Sequence, residues 1–135
     1  MKCESFVADR ELIHSLEKRS APVPCDQSRI LFKQGEVPAG LYILESGKAM
    51  LMMESASGKA VMCLEAGPGS LLGLPGIVAN EPYTLTAIAR KDSAVRFVTR
   101  DDFEDAIRTE PALQFQMLQL LAAEVRAARQ ALSEI

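Results

Sequence analysis

Between Arg29 and Thr99 the apolar residues come in short runs separated by turns that carry glycine. Ile30-Leu31-Phe32 precedes Gln34-Gly35-Glu36, and Leu41-Tyr42-Ile43-Leu44 precedes Glu45-Ser46-Gly47. Lys48 to Met52 and Ala60 to Leu64 are separated by Ser55-Ala56-Ser57-Gly58. Tyr83 to Ala89 alternates polar and apolar at its start, and Ala94 to Val98 forms one more run. Runs this short, with turn signals about every 8–12 residues, predict an all-β sandwich or barrel. Met50, Met52, Met53 and Met62 fall within it and are expected to pack its core.

The period changes on both sides of this zone. Residues 5–19 read as an amphipathic helix, with Phe6, Leu12, Ile13 and Leu16 on one face and Asp9, Glu11, Glu17 and Lys18 mostly off it. Ala21-Pro22-Val23-Pro24 ends that helix, because prolines cannot continue it. Thr99 is a good N-cap, followed by Asp101 and Asp102 where carboxylates suit the helix dipole. This predicts a helix over residues 100–109. Pro111 then opens a second helix, residues 111–133, which at about 23 residues spans about 34 Å. The expected chain is therefore one domain, residues 1–135, mainly β with flanking helices and with the β zone over residues 29–99.

In the last helix Leu118, Leu121, Val125, Ala128 and Leu132 recur at spacings of three and four, the a/d pattern of a coiled-coil seam. Such a stripe packs either on its own domain or on a second copy. A seam that runs to the end of the sequence, far from the β core, favours a parallel homodimer through residues 113–133.

Composition narrows the function. The 135 residues are 48% hydrophobic and 24% charged, enough to bury a core. The net charge of −3 and a pI near 5.2 argue against a nucleic-acid surface, which needs clustered Lys and Arg. No direct nucleic-acid binding is expected of this chain. A small anionic ligand is not excluded, since it needs only one local positive site. Cys3, Cys25 and Cys63 are odd in number and widely spaced, which reads as reduced cytosolic thiols. With the lone His14 they fall short of an ordinary zinc or iron–sulfur ligand set, so no metal and no cofactor are expected. The N-terminus has no apolar stretch for a signal peptide, and no window approaches a membrane span. The expected location is cytoplasmic, away from membranes.

Catalytic constellations are missing. Gly67-Pro68-Gly69-Ser70-Leu71-Leu72-Gly73 has Leu72 where the dinucleotide fingerprint needs its third glycine. No P-loop and no G-x-S-x-G elbow occurs. A histidine triad would depend on His14 in the leading helix, and a metal cupin needs several inward histidines on strands. Asp101 and Asp102 are adjacent on a helix, point apart, and serve its first turn. No catalytic residue is assigned, and a non-enzymatic protein is expected.

The succession Ile30-Leu31-Phe32-Lys33-Gln34-Gly35-Glu36, then Leu41-Tyr42-Ile43-Leu44-Glu45-Ser46-Gly47, then Gly67 to Gly73, resembles the cyclic nucleotide-binding domain. It is most similar to the sensor half of the Crp/Fnr (catabolite activator and fumarate–nitrate regulator) superfamily, over about residues 5–133. The resemblance implies a leading helix, a jelly-roll β-roll (double-stranded β-helix), a short helix inside a phosphate-binding cassette, and a C-terminal helix that pairs two subunits. It also implies a ligand-sensing, regulatory role in signal transduction or transcription regulation. The family's helix-turn-helix DNA-binding domain has no counterpart after the long helix.

In that family the cassette reads roughly Gly-Glu-Leu-Ala-Leu, then several residues, then Arg-Ser-Ala or Arg-Thr-Ala. Its glutamate holds the ribose 2′-hydroxyl and its arginine holds the cyclic phosphate. The matching positions here are Gly73, Leu74, Pro75 and Gly76, then Tyr83, Thr84 and Leu85. Leu74 stands for the glutamate, Tyr83 for the arginine and Leu85 for the alanine. The phosphate then lacks a charged partner unless Arg90, Arg96, Arg126 or Arg129 enters the pocket. The nearly apolar stretch from Leu71 to Ala79 either lines a pocket for a less polar ligand, with Tyr83 offering its hydroxyl, or closes on itself and binds nothing. The expected function is a homodimeric sensor or regulatory domain with a degenerate cassette, binding a non-standard small ligand or none. Two alternatives are kept. One is a cyclic-nucleotide-responsive sensor part of a Crp/Fnr-type transcriptional regulator whose DNA-binding domain lies outside this chain. The other is a redox or metal sensor using Cys3, Cys25, Cys63 and His14.

Overall fold

Alternation along single strands divides the interior into two cores. On the strand Gly40–Ser46 (β4), Leu41 and Ile43 face the helices while Leu44 faces the interior of the roll, and all three are fully buried. On Ala49–Glu54 (β5), Ala49 and Leu51 point inward, whereas Met50 and Met52 take the opposite face and are only half-buried. The expected core role for these two methionines is thus not met, because the strand period of two assigns them to the outer face. The structure, a computed structural model, describes residues 2–3 and 6–133, excluding the side chains of residues 2, 3, 131 and 132.

The remaining strands are Lys2–Cys3 (β1), Ala21–Val23 (β2), Arg29–Phe32 (β3), Ala60–Ala66 (β6), Ser70–Leu72 (β7), Thr86–Ala89 (β8) and Ala94–Thr99 (β9). They form a five-stranded sheet in the order β1-β6-β5-β8-β3 and a four-stranded sheet in the order β2-β9-β4-β7. Every pairing between these strands is antiparallel except β1 with β6. The first core fills the space between the sheets, with Phe32, Leu51 and Leu64 from one and Leu44, Leu72 and Val95 from the other. This is the expected jelly-roll. Gly47 shows why a turn demands glycine: its φ is +89°, and a Cβ there would lie 2.3 Å from Ser93 Oγ.

The second core lies between β4 and the helices Arg10–Glu17 (α1), Leu74–Ala79 (α2), Arg100–Thr109 (α3) and Ala112–Ser133 (α4). It joins Leu12 and Leu16 of α1, Phe103 of α3, and Leu113 and Leu120 of α4. Asp9 caps α1 by accepting from the Glu11 N–H at 2.9 Å, so the helix starts later than the apolar spacing predicted. Phe6 lies ahead of it, its carbonyl accepting from Leu71 N–H at 2.8 Å, and its ring joins the roll interior. Ala21–Val23 goes beyond ending the helix, since it pairs with β9 as an edge strand that tolerates Pro22. Thr99 caps α3 as expected, accepting from Asp102 N–H at 3.1 Å. Arg19 ties α1 to Asp105 of α3 at 3.4 Å and to Glu110 at 3.6 Å.

Candidate functional site

The chain leaves β7 through Gly73, whose φ of +93° is the left-handed conformation glycine accepts, and enters the six-residue α2. Asn80, also left-handed, ends α2, and the chain returns through Tyr83, Thr84 and Leu85 to β8. Between this loop and the roll lies a cavity of about 40 Å³. Gly73, Pro75, Gly76, Tyr83, Thr84 and Leu85 line it on the cassette side, so six of the seven cassette positions come together. Phe6, Phe32, Leu51 and Leu72 form its floor. The space admits a few water molecules and not a nucleotide.

Leu74, the seventh position, does not line the cavity. It is 0% exposed and packs in the helix-side core with Leu12, Leu16 and Leu41. Tyr83 fills much of the volume in front of Gly73. Its N–H donates to Glu36 O at 3.0 Å and its carbonyl accepts from Gly35 N–H at 2.8 Å. Its ring stacks on Phe32 with centroids 4.0 Å apart. Its hydroxyl donates to the Gly40 carbonyl at 2.5 Å, in a buried setting. The sequence reading gave that hydroxyl to a ligand. A buried phenol needs a partner whether or not a ligand is present, and the Gly40 carbonyl supplies it. Burial holds the Tyr83 phenol above its ordinary pKa despite that bond, so it stays protonated at neutral pH.

None of the four arginines lines the cavity. Arg90 pairs with Glu65 at 3.3 Å. Arg96 donates to the Ser20 hydroxyl and carbonyl at 2.6 and 3.1 Å. Arg126 and Arg129 flank a shallow depression on α4 with Ala122 and Val125. The ionisable group that does enter is Glu124 of α4. Its Oε2 is shut off from solvent and has no hydrogen-bond partner, and desolvation pushes its carboxyl up to about 8. Sequence reasoning did not single out Glu124. Its signal was available, since it continues the inward stripe Leu113, Met117, Leu120 at helical spacing.

Residues 22–110 match the family model described as the cyclic nucleotide-binding domain. The chain belongs to that family. The cyclic AMP receptor protein of Thermus thermophilus is 28% identical over 76% of this chain and 47% of its own length. A CRP-like cAMP-activated global transcriptional regulator of Mycobacterium tuberculosis is 26% identical over 91% of this chain and 55% of its own. The crystal structure of the Thermus thermophilus catabolite activator protein superposes with a TM-score of 0.78 at 25% identity, covering 93% of this chain and 59% of that one. The resemblance to Crp/Fnr regulators and the fold expected from it are borne out. This cyclic nucleotide-binding domain spans about half the length of the curated relatives it matches.

On α4 of the domain, Leu118 is 58% and Val125 49% exposed, as a pairing face requires, but Leu121 turns partly into its own helix-side core. Ala128 is half-buried, and the Leu132 side chain lies outside the described residues. Phe115, which the sequence stripe passed over, is 65% exposed beside Leu118. Cys25 is buried, which pushes its thiol up and away from thiolate, while Cys63 and His14 are exposed on β6 and α1. The Cys3 side chain lies outside the described residues, and among those described no three His, Cys, Asp or Glu residues cluster as metal ligands. Among the same residues no helix is long and apolar enough to cross a membrane.

Proposed function

We propose that this domain is a non-enzymatic sensor or regulatory module whose cassette has lost the chemistry for an ordinary cyclic nucleotide, and that it works as a homodimer through α4. The observation that carries the reading is the cavity lining, which among the described residues holds no Lys, Arg or His and has Glu124 as its acidic group. Truncating one partner of a buried, hydrogen-bonded charge pair costs about 2–5 kcal/mol. At about 1.4 kcal/mol per tenfold, losing the arginine weakens a phosphate site by a factor of about 30 to several thousand. The Tyr83 ring lining the site and stacked on Phe32 opposes a bulky anion further. The test is calorimetric titration of the whole chain with cyclic AMP and cyclic GMP to millimolar concentration. No heat of binding is expected, and micromolar binding of either overturns the reading.

A second reading is favoured by the span of the match. The chain covers 47% and 55% of relatives named as a cyclic AMP receptor and a cAMP-activated transcriptional regulator, which fits the sensor part of such a regulator. Micromolar cyclic AMP binding in the same titration selects this reading over the first.

A further inference from the structure

We infer that the cassette cavity takes a small organic cation, a primary ammonium head on a short apolar body, with Glu124 as its counter-ion and Phe6, Phe32 and Tyr83 as its aromatic wall. The inference rests on the reading of the cassette as a pocket without a phosphate partner, and it names the ligand class of that pocket.

Three features converge on it. First, Glu124 Oε2 is enclosed and unpaired. Buried polar atoms in native folds have partners, and one without a partner calls for an explanation. The ionised carboxylate only accepts hydrogen bonds, so in that form what it lacks is a donor, whereas the neutral acid carries its own proton. The Tyr83 hydroxyl is already committed to Gly40, and the other lining side chains are hydrocarbon apart from Thr84, which is exposed. Second, three of the lining residues are aromatic, and Phe32 and Tyr83 stack on each other. Aromatic faces attract cations through the ring quadrupole and hold no attraction for an anion. Third, the cavity of about 40 Å³ matches an ammonium group with a carbon or two, and a longer body must leave through the mouth, where Thr84 is exposed.

The protonation balance follows. The groups facing Glu124 from every described element around the cavity are uncharged: Phe6, Phe32 of β3, Leu51 of β5, Leu72 of β7, Pro75 of α2, and Tyr83, whose phenol stays protonated. With its pKa at about 8, free Glu124 is mostly the neutral acid at pH 7. A bound ammonium needs the carboxylate, so the carboxyl proton leaves to the buffer, about 0.9 proton per ligand at pH 7. Affinity therefore rises with pH, by about 50-fold between pH 6 and pH 8, and levels off above that while the amine remains protonated.

The experiment titrates the full chain calorimetrically with benzylamine and n-butylamine, against benzyl alcohol and benzoate as neutral and anionic counterparts, in two buffers of different ionisation enthalpy. The inference expects an amine to bind at least about tenfold tighter than both counterparts, with proton release, and Glu124→Gln to lose that preference and the release. Equal binding of the alcohol, preferred binding of benzoate, an amine preference retained by Glu124→Gln, or no amine binding at all overturns it. Should the Gln variant fold poorly, the buffer comparison on the parent decides: amine binding without proton release overturns the inference. None of these failures touches the reading of the lost phosphate site, which falls only if cyclic AMP or cyclic GMP binds at micromolar concentration.

Discussion

The resemblance aligns Leu74 with the family's ribose-binding glutamate, so Leu74→Glu is the obvious attempt to restore that function. The structure predicts that it damages the fold instead. Leu74 is 0% exposed and packs among Leu12, Leu16, Leu41 and Ile77, away from the cavity. Losing a fully buried leucine side chain forfeits about 1.5–3 kcal/mol. Placing a carboxyl group without a partner in the same hole adds about 1–3 kcal/mol or more. The sum, about 2.5–6 kcal/mol, is a large share of the stability of an ordinary domain. A domain of this size loses about 3–4 °C in Tm per kcal/mol, so the melting temperature should fall by about 8–24 °C. Thermal unfolding followed by circular dichroism at pH 7 measures this, with Leu74→Met as a volume-conserving control expected within about 5 °C of the parent. A Leu74→Glu protein that melts within about 3 °C of the parent would show the side chain at the cavity or in water, and the packing argument would fail.

Two further outcomes are expected. Tyr83→Phe removes the hydroxyl bonded to Gly40 and keeps the stacked ring, so it should cost about 1 kcal/mol and about 3–4 °C in Tm, and an unchanged melt would place that hydroxyl in water. Leu118→Glu acts on an exposed position of α4, so sedimentation should show a dimeric parent at tens of micromolar and a monomeric variant with a nearly unchanged melt, whereas a monomeric parent overturns the homodimer.

The strands were readable because their signals are local. Turn glycines such as Gly47 and the Thr99 cap act within a few residues, and both worked as expected. Phe6 shows the limit of periodicity, since its spacing fits the α1 face but its backbone pairs with Leu71. Leu74 shows another. The resemblance gives it the glutamate's position, but whether it faces pocket or core depends on how Gly73 at φ +93° launches a helix only six residues long. On α4 the sequence offered one stripe where the fold uses two. Leu113, Met117, Leu120 and Glu124 turn inward, and Phe115, Leu118 and Val125 turn out, with Leu121 shared between them. Separating stripes this close needs the position of the β-roll, which no spacing within α4 supplies.

That this fold can persist without a phosphate site, as proposed above, has a physical reason in the way the two are built. The β-roll depends on buried leucines, turn glycines and ladder pairing spread over the whole chain, whereas cassette affinity depends on very few side chains. If Tyr83 takes the place of the cassette arginine, as the resemblance implies, two things change at once: the positive charge is withdrawn, and a ring stacked on Phe32 takes up the volume. The ring in turn constrains its neighbours. A Cβ on Gly73 would lie 2.9 Å from Tyr83 Cε1, whereas one on Gly76 would press first on Glu81 O and Pro38 Cγ, each at 3.1 Å. Gly73 is thus needed here for the space the ring takes as well as for its positive φ, so the cassette is packed around its own tyrosine. On the reading proposed above, a pocket stabilised in that way offers no seat for a phosphate. What it leaves without a partner is the enclosed Glu124 oxygen, an acceptor once the carboxyl is ionised, and that is why the proposed ligand is one that bears a donor and a positive charge.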